Sequence, residues 1–489
     1  MKKILVPIIL LCLSVWLLSL EEAKTREEKL LASMHEISSH TLLAYVAELS
    51  SPLYAGRLTG TPGYDRACEW VAAKLRGWGL RSGGENSSYF QTYPNPYTVV
   101  KNDGELTLDL TGSDGIRKRY QYESEYFPGS TSGSGRASAE VVYVGYGITA
   151  PELGYDDYRG VDARGKIVLM EREVPVSPDK DAALFARWRP YSFHQYKTEN
   201  ARRHGVAGIL YNYGPISNPN NEYIEGMLFT HVGDAVVADL FSGSGRDHKR
   251  IVEQIERSLR PRSFATGKRV TMANSTEHHP EGVGRNVSGV IEGSDPALRD
   301  QVLILCAHLD HNGSGPRLFP GANDNASGVA ILLGVAEALA RSSLRPQRSV
   351  AFLFTGSEEQ AIKGAAFYLD HPLFPLAKTV GLLNLDGVGC GGNLEVLAGK
   401  NFPALWEAVR QANEKYIHRP LEAFDFHNRA RPRLDAALFM ARGVHSLSFS
   451  VSGAPYYYHT TRDDASSITP EILEDLSQLL FVAVLDLTE

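Results

Sequence analysis

Residues 302–311 read Val302-Leu-Ile-Leu-Cys-Ala-His-Leu-Asp-His311, an apolar run that ends in a polar segment. A short continuous apolar run is typical of a strand that is buried on both faces of a parallel sheet. His308 and Asp310 lie where this predicted strand ends, and they point the same way because they are two residues apart in extended chain. The stretch therefore predicts an α/β fold in which a central strand delivers polar side chains at its end.

A helix is predicted a little further along, after Pro320-Gly-Ala-Asn-Asp-Asn-Ala-Ser-Gly328. Its apolar face is formed by Val329, Leu332, Leu333, Ala336 and Leu339. Asp324 and Asn325 fall at the N-terminus of this helix, where capping and the helix dipole both favour a short side chain with an oxygen atom. Asp324 is therefore a second candidate carboxylate.

Three more apolar runs stop at turns that carry acidic residues or histidine. Residues 350–355 precede Glu358 and Glu359, residues 380–385 precede Asp386, and residues 446–452 lead towards His459. In an open α/β sheet, the ligand crevice lies outside the carboxyl ends of the strands. The sequence therefore predicts that one rim of the sheet collects His308, Asp324, Glu358, Glu359, Asp386 and His459.

Such a set of side chains calls for a metal ion. Carboxylates that share a crevice repel one another and raise each other's pKa, so they need a cation. The mixture of histidine nitrogen and carboxylate oxygen suits zinc. One histidine and one terminal carboxylate per ion, with an aspartate between them, gives a two-metal site of the kind that activates water for hydrolysis.

These motifs resemble those of the co-catalytic di-zinc aminopeptidases, a family that also includes glutamate carboxypeptidase and glutaminyl cyclase relatives. The resemblance is carried, in the family's order, by His308-Leu-Asp310, residues 320–328, Glu358-Glu359, Asn384-Leu-Asp386 and Tyr458-His-Thr460. It implies an α/β fold with a mixed, mainly parallel sheet flanked by helices, of the zinc exopeptidase type.

The resemblance also implies how two Zn²⁺ ions would be held. His308 and Asp386 would bind one ion. Glu359 and His459 would bind the other, and Asp324 would bridge the two. This assignment makes zinc the expected cofactor and these residues the expected ligands.

Other positions receive roles in the reaction from the same resemblance. Glu358 would be the general base that takes a proton from the bridging water, and Asp310 would orient His308 without touching the metal. Tyr458 is placed either to support the developing oxyanion or simply to pack. Asp463 would either support a metal ligand from outside the metal's coordination or order a loop, rather than bind a metal itself.

Between about residue 120 and residue 284 the character of the sequence changes. Short strand-like runs, such as residues 139–144 and 166–170, alternate with turn-forming clusters. Val144-Gly-Tyr-Gly147 and Gly165-Lys-Ile-Val168 resemble a protease-associated domain, a β-rich insert common in secreted peptidases of this family. We therefore predict a split peptidase domain, with its first part at 25–119, the insert at 120–284 and the catalytic part at 285–489.

The first 24 residues predict export. Met1-Lys-Lys precedes a largely apolar run over residues 4–20, which is typical of a secretory signal peptide. An uncleaved N-terminal anchor remains open, because no clean cleavage site follows the run. The expected location is periplasmic, extracellular or membrane-anchored through the N-terminus, with no stable membrane partner unless the leader is kept.

Composition excludes one class of partner and sets the size of the cores. The chain has 489 residues, of which 43% are hydrophobic, so it can bury large cores in more than one domain. Its formal net charge is −7 and no basic block occurs, which argues against a nucleic-acid partner.

The hypothesis from sequence is an exported zinc-dependent exopeptidase that acts on peptide substrates. An aminopeptidase is the activity that the resemblance favours, with a hydroxide held between the metal ions attacking the scissile carbonyl. A glutaminyl cyclase-like or carboxypeptidase-like relative and a non-catalytic, receptor-like member remain open alternatives.

Overall fold

The computed structural model describes residues 25–109, 117–130, 132–220, 222–426 and 434–489. The predicted leader, residues 1–24, lies outside these ranges. No helix within them combines the length and the apolar character that a bilayer span requires.

The described chain contains strands and α-helices, which alternate mainly after residue 302. In chain order the strands are β1 (Arg81–Ser82), β2 (Phe90–Pro94), β3 (Tyr97–Val100), β4 (Glu105–Asp109), β5 (Arg117–Arg119), β6 (Tyr126–Pro128), β7 (Gly135–Tyr143), β8 (Thr149–Ala150), β9 (Tyr155–Asp156), β10 (Ile167–Glu171), β11 (Gly208–Asn212), β12 (Leu228–Val232), β13 (Phe264–Asn274), β14 (Thr276–His279), β15 (Val283–Ile291), β16 (Val302–His308), β17 (Ser349–Thr355), β18 (Thr379–Leu385), β19 (Asn393–Leu397), β20 (Leu421–Phe424) and β21 (Ser446–Ser452). The α-helices are α1 (Arg26–Met34), α2 (Ser39–Leu49), α3 (Pro62–Gly77), α4 (Ala182–Trp188), α5 (His194–Arg203), α6 (Asp234–Phe241), α7 (His248–Ser258), α8 (Ser327–Arg341), α9 (Lys363–Asp370), α10 (Pro403–Ala412), α11 (Asp435–Ala441) and α12 (Pro470–Leu487).

The larger sheet has parallel strands at its centre. Its order is β1-β15-β17-β16-β18-β21-β19-β20, and β2 also pairs with β15. β17, β16, β18 and β21 are parallel neighbours, whereas β15 and β19 join this group antiparallel. A mixed α/β sheet flanked by helices confirms the fold class predicted from the sequence.

The central strand β16 is buried along its whole length, as its apolar run predicts. Successive side chains of a strand point to opposite faces of the sheet. Leu303 and Leu305 accordingly pack in one core, together with residues of α2, α3, α8 and α12. Ile304 and Cys306 pack in another core with residues of α9 and α11. Because both faces are covered, the strand ends are the part of the sheet that remains open to a ligand.

Residues between β3 and β14 build a second sheet with its own cores. Its order is β5-β4-β13-β7-β10-β11-β12-β6, and the strands from β7 to β12 in this order are parallel. Val141, Leu169 and Leu210 lie in the core on one face. Val142 and Ile209 lie in the core on the other. We call the residues from β4 to β13 the second unit.

The second unit is connected to the larger sheet by a pair of strands. β3 and β14 are antiparallel partners, with Val100 opposite Thr276, so the chain enters and leaves the second unit side by side. β4 and β5 belong to the second sheet although they precede residue 120. The division of the chain at residues 120 and 284, and the kinship of the insert with the protease-associated domain, stay predictions.

Candidate metal centre

The candidate site lies at the carboxyl ends of the four central parallel strands. His308 is the last residue of β16, and Asp386 follows directly after β18. Glu358 and Glu359 follow β17, and His459 lies in the loop after β21. Because parallel strands end at the same edge of a sheet, these loops meet there. The structure thus brings together the residues that the sequence predicts as ligands and base, with Asp324 arriving from the turn before α8.

One group of possible ligands consists of His308, Asp324 and Asp386. The Nε2 atom of His308 lies 3.2 Å from Asp324 Oδ1 and 3.5 Å from Asp386 Oδ1. This Nε2 atom is buried and has no hydrogen-bond partner in the described part of the chain. A buried nitrogen that faces two carboxylates is suited to a cation, and these donor types are those of zinc sites.

The protonation equilibria of this group reflect its crowding. Burial alone lowers the pKa of His308, but the surrounding carboxylates of Asp310, Asp324 and Asp386 outweigh burial and raise this pKa well above its usual value. Burial raises the pKa of Asp324, yet the neighbouring imidazoles of His308 and His459 lower it well below the ordinary range. The imidazoles of His308 and His459 thus supply the positive charge that balances these carboxylates.

A second group surrounds Glu359. His459 Nε2 lies 2.8 Å from Glu359 Oε2 and 3.5 Å from Asp324 Oδ2. His311 Nδ1 lies 2.9 Å from Glu359 Oε1, and His311, Asp324 and Glu359 also have the spacing of metal ligands. Two histidines therefore compete for the place of nitrogen ligand beside Glu359. The ligand predicted from the sequence at this place is His459, and His311 was missed.

Asp310 acts mainly on the backbone of the Glu358-Glu359 pair. Its carboxylate accepts hydrogen bonds from the backbone N–H of Glu358 at 3.1 Å and of Glu359 at 3.3 Å. His308 Nδ1 donates to the Asp310 carbonyl at 3.2 Å, whereas the nearest carboxylate oxygen lies 3.7 Å away, beyond hydrogen-bond length. Asp310 therefore contacts His308 through its main chain and holds the acidic pair through its side chain.

Glu358 faces the open space beside the two groups. It is partly exposed and lines a cleft of about 590 Å³. Burial raises the pKa of its carboxyl well above the ordinary value, and the nearby carboxylates of Asp386 and Glu359 act in the same direction. A general base works best when its pKa is raised towards the working pH, so the direction of this shift suits the predicted role of Glu358.

The turn that carries Asp324 is fixed by a second aspartate. The carboxylate of Asp463 accepts hydrogen bonds from the backbone N–H of Asn323 at 2.8 Å and of Asp324 at 3.0 Å. The Asp463 carbonyl also accepts from the N–H of Ala322. Asp463 therefore fixes the main chain of residues 322–324, and its role in the site stays a prediction.

A buried arginine holds the main chain of the loops that follow β16. Arg57 is fully buried and its guanidinium donates to the carbonyl oxygens of Leu49, Leu309, Pro320 and Gly321. Burial lowers the pKa of Arg57 to about 10 against the opposing effect of nearby carboxylates, so the group stays charged at neutral pH. Sequence reasoning missed Arg57, because a residue that bonds only main-chain carbonyls leaves no pattern in the sequence.

Two tyrosines close the cleft on the side of His459. The predicted Tyr458 stacks on the ring of His459, with centroids 3.7 Å apart and an angle of 19° between the planes. The hydroxyl of Tyr456, which sequence reasoning missed, donates to Asp324 Oδ2 at 3.1 Å. Both tyrosines line the cleft. The role of Tyr458 in supporting an oxyanion stays a prediction, and Tyr456 is a second candidate for that role.

The second unit also reaches the site. Glu173 and Tyr213 line the cleft opposite the loops of the larger sheet. His459 Nδ1 donates to the carbonyl oxygen of Ser217 at 2.8 Å, and the Ser217 N–H donates to the carbonyl of His459 at 3.1 Å. No motif in the sequence indicated a contact between these two parts of the chain.

Comparison with known proteins finds a match to one peptidase family and to several relatives. Residues 286–484 match Peptidase family M28. Aminopeptidase YwaD of Bacillus subtilis is 27% identical over 356 residues, which are 69% of this chain and 67% of that protein. The vacuolar membrane protease of Lodderomyces elongisporus is 23% identical over 45% of this chain, but the match spans only 23% of that protein.

Two solved structures share the fold. An aminopeptidase from Aneurinibacillus sp. strain AM-1 aligns with a TM-score of 0.65 at 19% identity, covering 92% of this chain and 94% of that one. A zinc aminopeptidase from Bacillus subtilis aligns with a TM-score of 0.60 at 19% identity, covering 92% and 95%.

Proposed function

We propose that this chain, whose residues 286–484 match Peptidase family M28, is an exported di-zinc exopeptidase that removes N-terminal residues from peptides. The observation that carries the proposal is the convergence of the predicted ligand residues on Asp324, which lies between His308 on one side and His459 on the other. The names of the Bacillus relatives, an aminopeptidase and a zinc aminopeptidase, support the choice of metal and of reaction.

The side chains suit two zinc ions. His308 and Asp386 would hold one ion, Glu359 and His459 would hold the other, and Asp324 would contact both. When bound, zinc supplies a Lewis acid and lowers the pKa of a water molecule, so that this water becomes a nucleophile near neutral pH.

Glu358 is the residue that moves the proton. It lies at the edge of the cleft with a raised pKa, and Asp310 fixes the backbone on which it is carried. Glu358 takes a proton from the attacking water and delivers it to the amine that leaves, which is general base followed by general acid catalysis. Tyr456 and Tyr458, on the wall of the cleft, are placed to hold the substrate carbonyl.

The size and the walls of the cleft agree with a peptide substrate that enters with its N-terminus first. Its volume of about 590 Å³ is in the range of sites for small ligands. Tyr213 and Glu173 of the second unit bound it opposite the metal residues. We propose that this wall admits the first residues of a peptide and excludes the middle of a folded chain.

A panel of substrates tests the proposed reaction. Purified protein loaded with zinc is incubated with amino-acid anilides, with the same anilides blocked by an N-acetyl group, and with peptides that begin with glutamine. We expect release of aniline from the free-amine substrates only. Cyclisation of N-terminal glutamine without hydrolysis would make the chain a cyclase, and no turnover with zinc bound would make it a non-catalytic member.

Export and anchoring are tested in the cell. We propose that residues 1–24 direct the chain out of the cytoplasm, because a basic start precedes an apolar run. Fractionation of cells that express the full chain, followed by N-terminal sequencing, is expected to find it outside the cytoplasm. Recovery of the uncleaved chain in the membrane fraction would identify the segment as an anchor.

A further inference from the structure

Ser217 of the second unit and His459 of the larger sheet exchange two hydrogen bonds. The imidazole Nδ1–H of His459 donates to the Ser217 carbonyl at 2.8 Å, and the Ser217 N–H donates to the His459 carbonyl at 3.1 Å. Both residues are buried, with 2% of His459 and 7% of Ser217 exposed. This contact joins the ring and the main chain of His459 to a segment that lies far away in the sequence.

The first of these bonds decides which nitrogen of His459 faces the site. A carbonyl oxygen only accepts, so Nδ1 carries the hydrogen and the lone pair of a neutral ring is on Nε2. That Nε2 atom is the one that lies 2.8 Å from Glu359 and 3.5 Å from Asp324. In metal sites, a partner on the far nitrogen fixes the tautomer and the orientation of the ligand ring.

The second bond supports an unfavourable backbone. His459 has a φ of 53°, in the left-handed region that residues with a Cβ rarely adopt. Such a conformation persists when neighbouring contacts determine it, and the Ser217 N–H supplies one of them. The ring of Tyr458, stacked on the other side, supplies another.

The segment that carries Ser217 is itself attached to the second unit. The N–H of Gly214 donates to the carbonyl of Val232 in β12. At the other end, the side-chain amide of Gln195 in α5 donates to the backbone carbonyl of Asn220 and, at 3.0 Å, to its side-chain oxygen. The position of Ser217 is therefore set by the second unit.

We propose that residues 214–220 form a positioning segment, through which the second unit holds His459 ready to bind the zinc ion shared with Glu359. The inference rests on the proposed function, because it takes His459 as a zinc ligand. It adds that the second unit is part of the metal centre as well as a wall of the cleft. Coupling between two sites is reciprocal, so zinc binding must in turn stabilise the docking of this segment.

Hydrogen exchange on the unaltered full chain tests this reciprocity. Amide exchange of residues 214–220 is compared between the chelator-treated and the zinc-loaded protein, with β4 at the far side of the same sheet as the internal control. We expect slower exchange of the Ser217 amide when zinc is bound and no change in β4. The same comparison in His459→Ala is expected to show no zinc-dependent protection at Ser217.

A pair of variants at one position tests the effect on the metal. Ser217→Pro removes the N–H donor, whereas Ser217→Ala keeps both backbone groups. Because Ser217→Pro frees the main chain of His459, we expect it to bind one of its two zinc ions at least ~10-fold more weakly in competition with a chelator, and we expect Ser217→Ala to bind both normally. Gln195→Ala, which releases the segment at Asn220, is expected to weaken the same ion and replaces the proline variant if the latter does not fold.

The outcomes separate the two proposals. If the unaltered protein binds no zinc, the proposed function fails. The positioning role of the segment is overturned if the unaltered protein binds two ions but the amide exchange of Ser217 is the same with and without zinc. It is also overturned if Ser217→Pro and Gln195→Ala bind both ions normally. In either case the proposed function stands.

Discussion

His311 Nδ1 lies 2.9 Å from Glu359 Oε1. This pair sits next to His459, whose ring is edge-on to that of His311 with centroids 5.6 Å apart. Both histidines lie near Asp324, but in His459 the Nε2 atom faces Asp324 and Glu359 while the Nδ1 atom is bonded to the Ser217 carbonyl. We therefore take His459 as the ligand and His311 as a residue that orients Glu359.

The two histidines are expected to differ in their effect on metal content. His459→Ala removes a ligand and should leave about one zinc ion per chain, whereas His311→Ala should keep two ions with affinity lower by ~10-fold to ~100-fold. Metal content after dialysis and competition with a chelator measure this. The reverse pattern, with an ion lost from His311→Ala and none from His459→Ala, would assign the ligand role to His311.

Glu358 is expected to matter for the reaction and not for metal binding. Glu358→Ala should lower kcat by at least ~100-fold, the scale of a lost general base, while the zinc content stays at that of the unaltered protein. The exposed Glu422→Gln serves as the control and should behave like the unaltered chain. Undiminished turnover in Glu358→Ala would remove this residue from the mechanism.

Arg57 is expected to matter for folding. Arg57→Ala leaves four carbonyl groups in the interior without their donor, and Arg57→Lys lacks the planar fork that reaches them. We expect either change to lower the free energy of unfolding by about 3 kcal/mol or more, measured by urea denaturation. Arg66→Lys, at an exposed arginine that bonds one carbonyl, should cost less than ~0.5 kcal/mol. Equal losses at the two positions would contradict the role given to Arg57.

Asp157 is expected to make stability depend on pH. Burial raises the pKa of this carboxyl to about 7 in the folded chain, whereas an unfolded aspartate has a pKa near ~3.9. Between about pH 4 and pH 7 the folded chain keeps a proton that the unfolded chain releases, so the free energy of unfolding falls as pH rises through this window.

Asp157→Asn should remove this dependence. One side-chain oxygen accepts from the N–H groups of both Tyr146 and Ile148, so an amide oxygen can replace it. Urea denaturation at pH 5 and pH 8 should show a smaller loss of stability on going to pH 8 in Asp157→Asn than in the unaltered protein. Asp179→Asn, at an exposed position, should leave the loss unchanged. The same loss in all three proteins would contradict the assignment.

The sequence predicted the larger sheet well because its central strands are buried on both faces. An unbroken apolar run such as that before His308 is typical of a buried strand. Parallel strands end at the same edge of the sheet, so the position of their carboxyl ends could also be predicted. The candidate ligands could be found for the same reason, since each lies within a few residues of such a run.

Other parts of the site depend on contacts between distant segments, which leave no periodic signal. Arg57 bonds main-chain carbonyls, for which any sequence provides an acceptor. Ser217 likewise contributes only backbone atoms. His311 was visible one residue after Asp310, but its direction depends on how the chain turns after β16.

The pairing of Val100 with Thr276 has a consequence for the gain or loss of the second unit during evolution. Where the two ends of an inserted unit are neighbours, a gene can gain or lose that unit while the host sheet keeps its path, since a tight turn can join adjacent antiparallel strands. The contact of Ser217 with His459 gives such a deletion a specific cost. A chain that lacks the second unit would need another hydrogen-bond acceptor for the imidazole of His459, supplied by residues of the larger sheet.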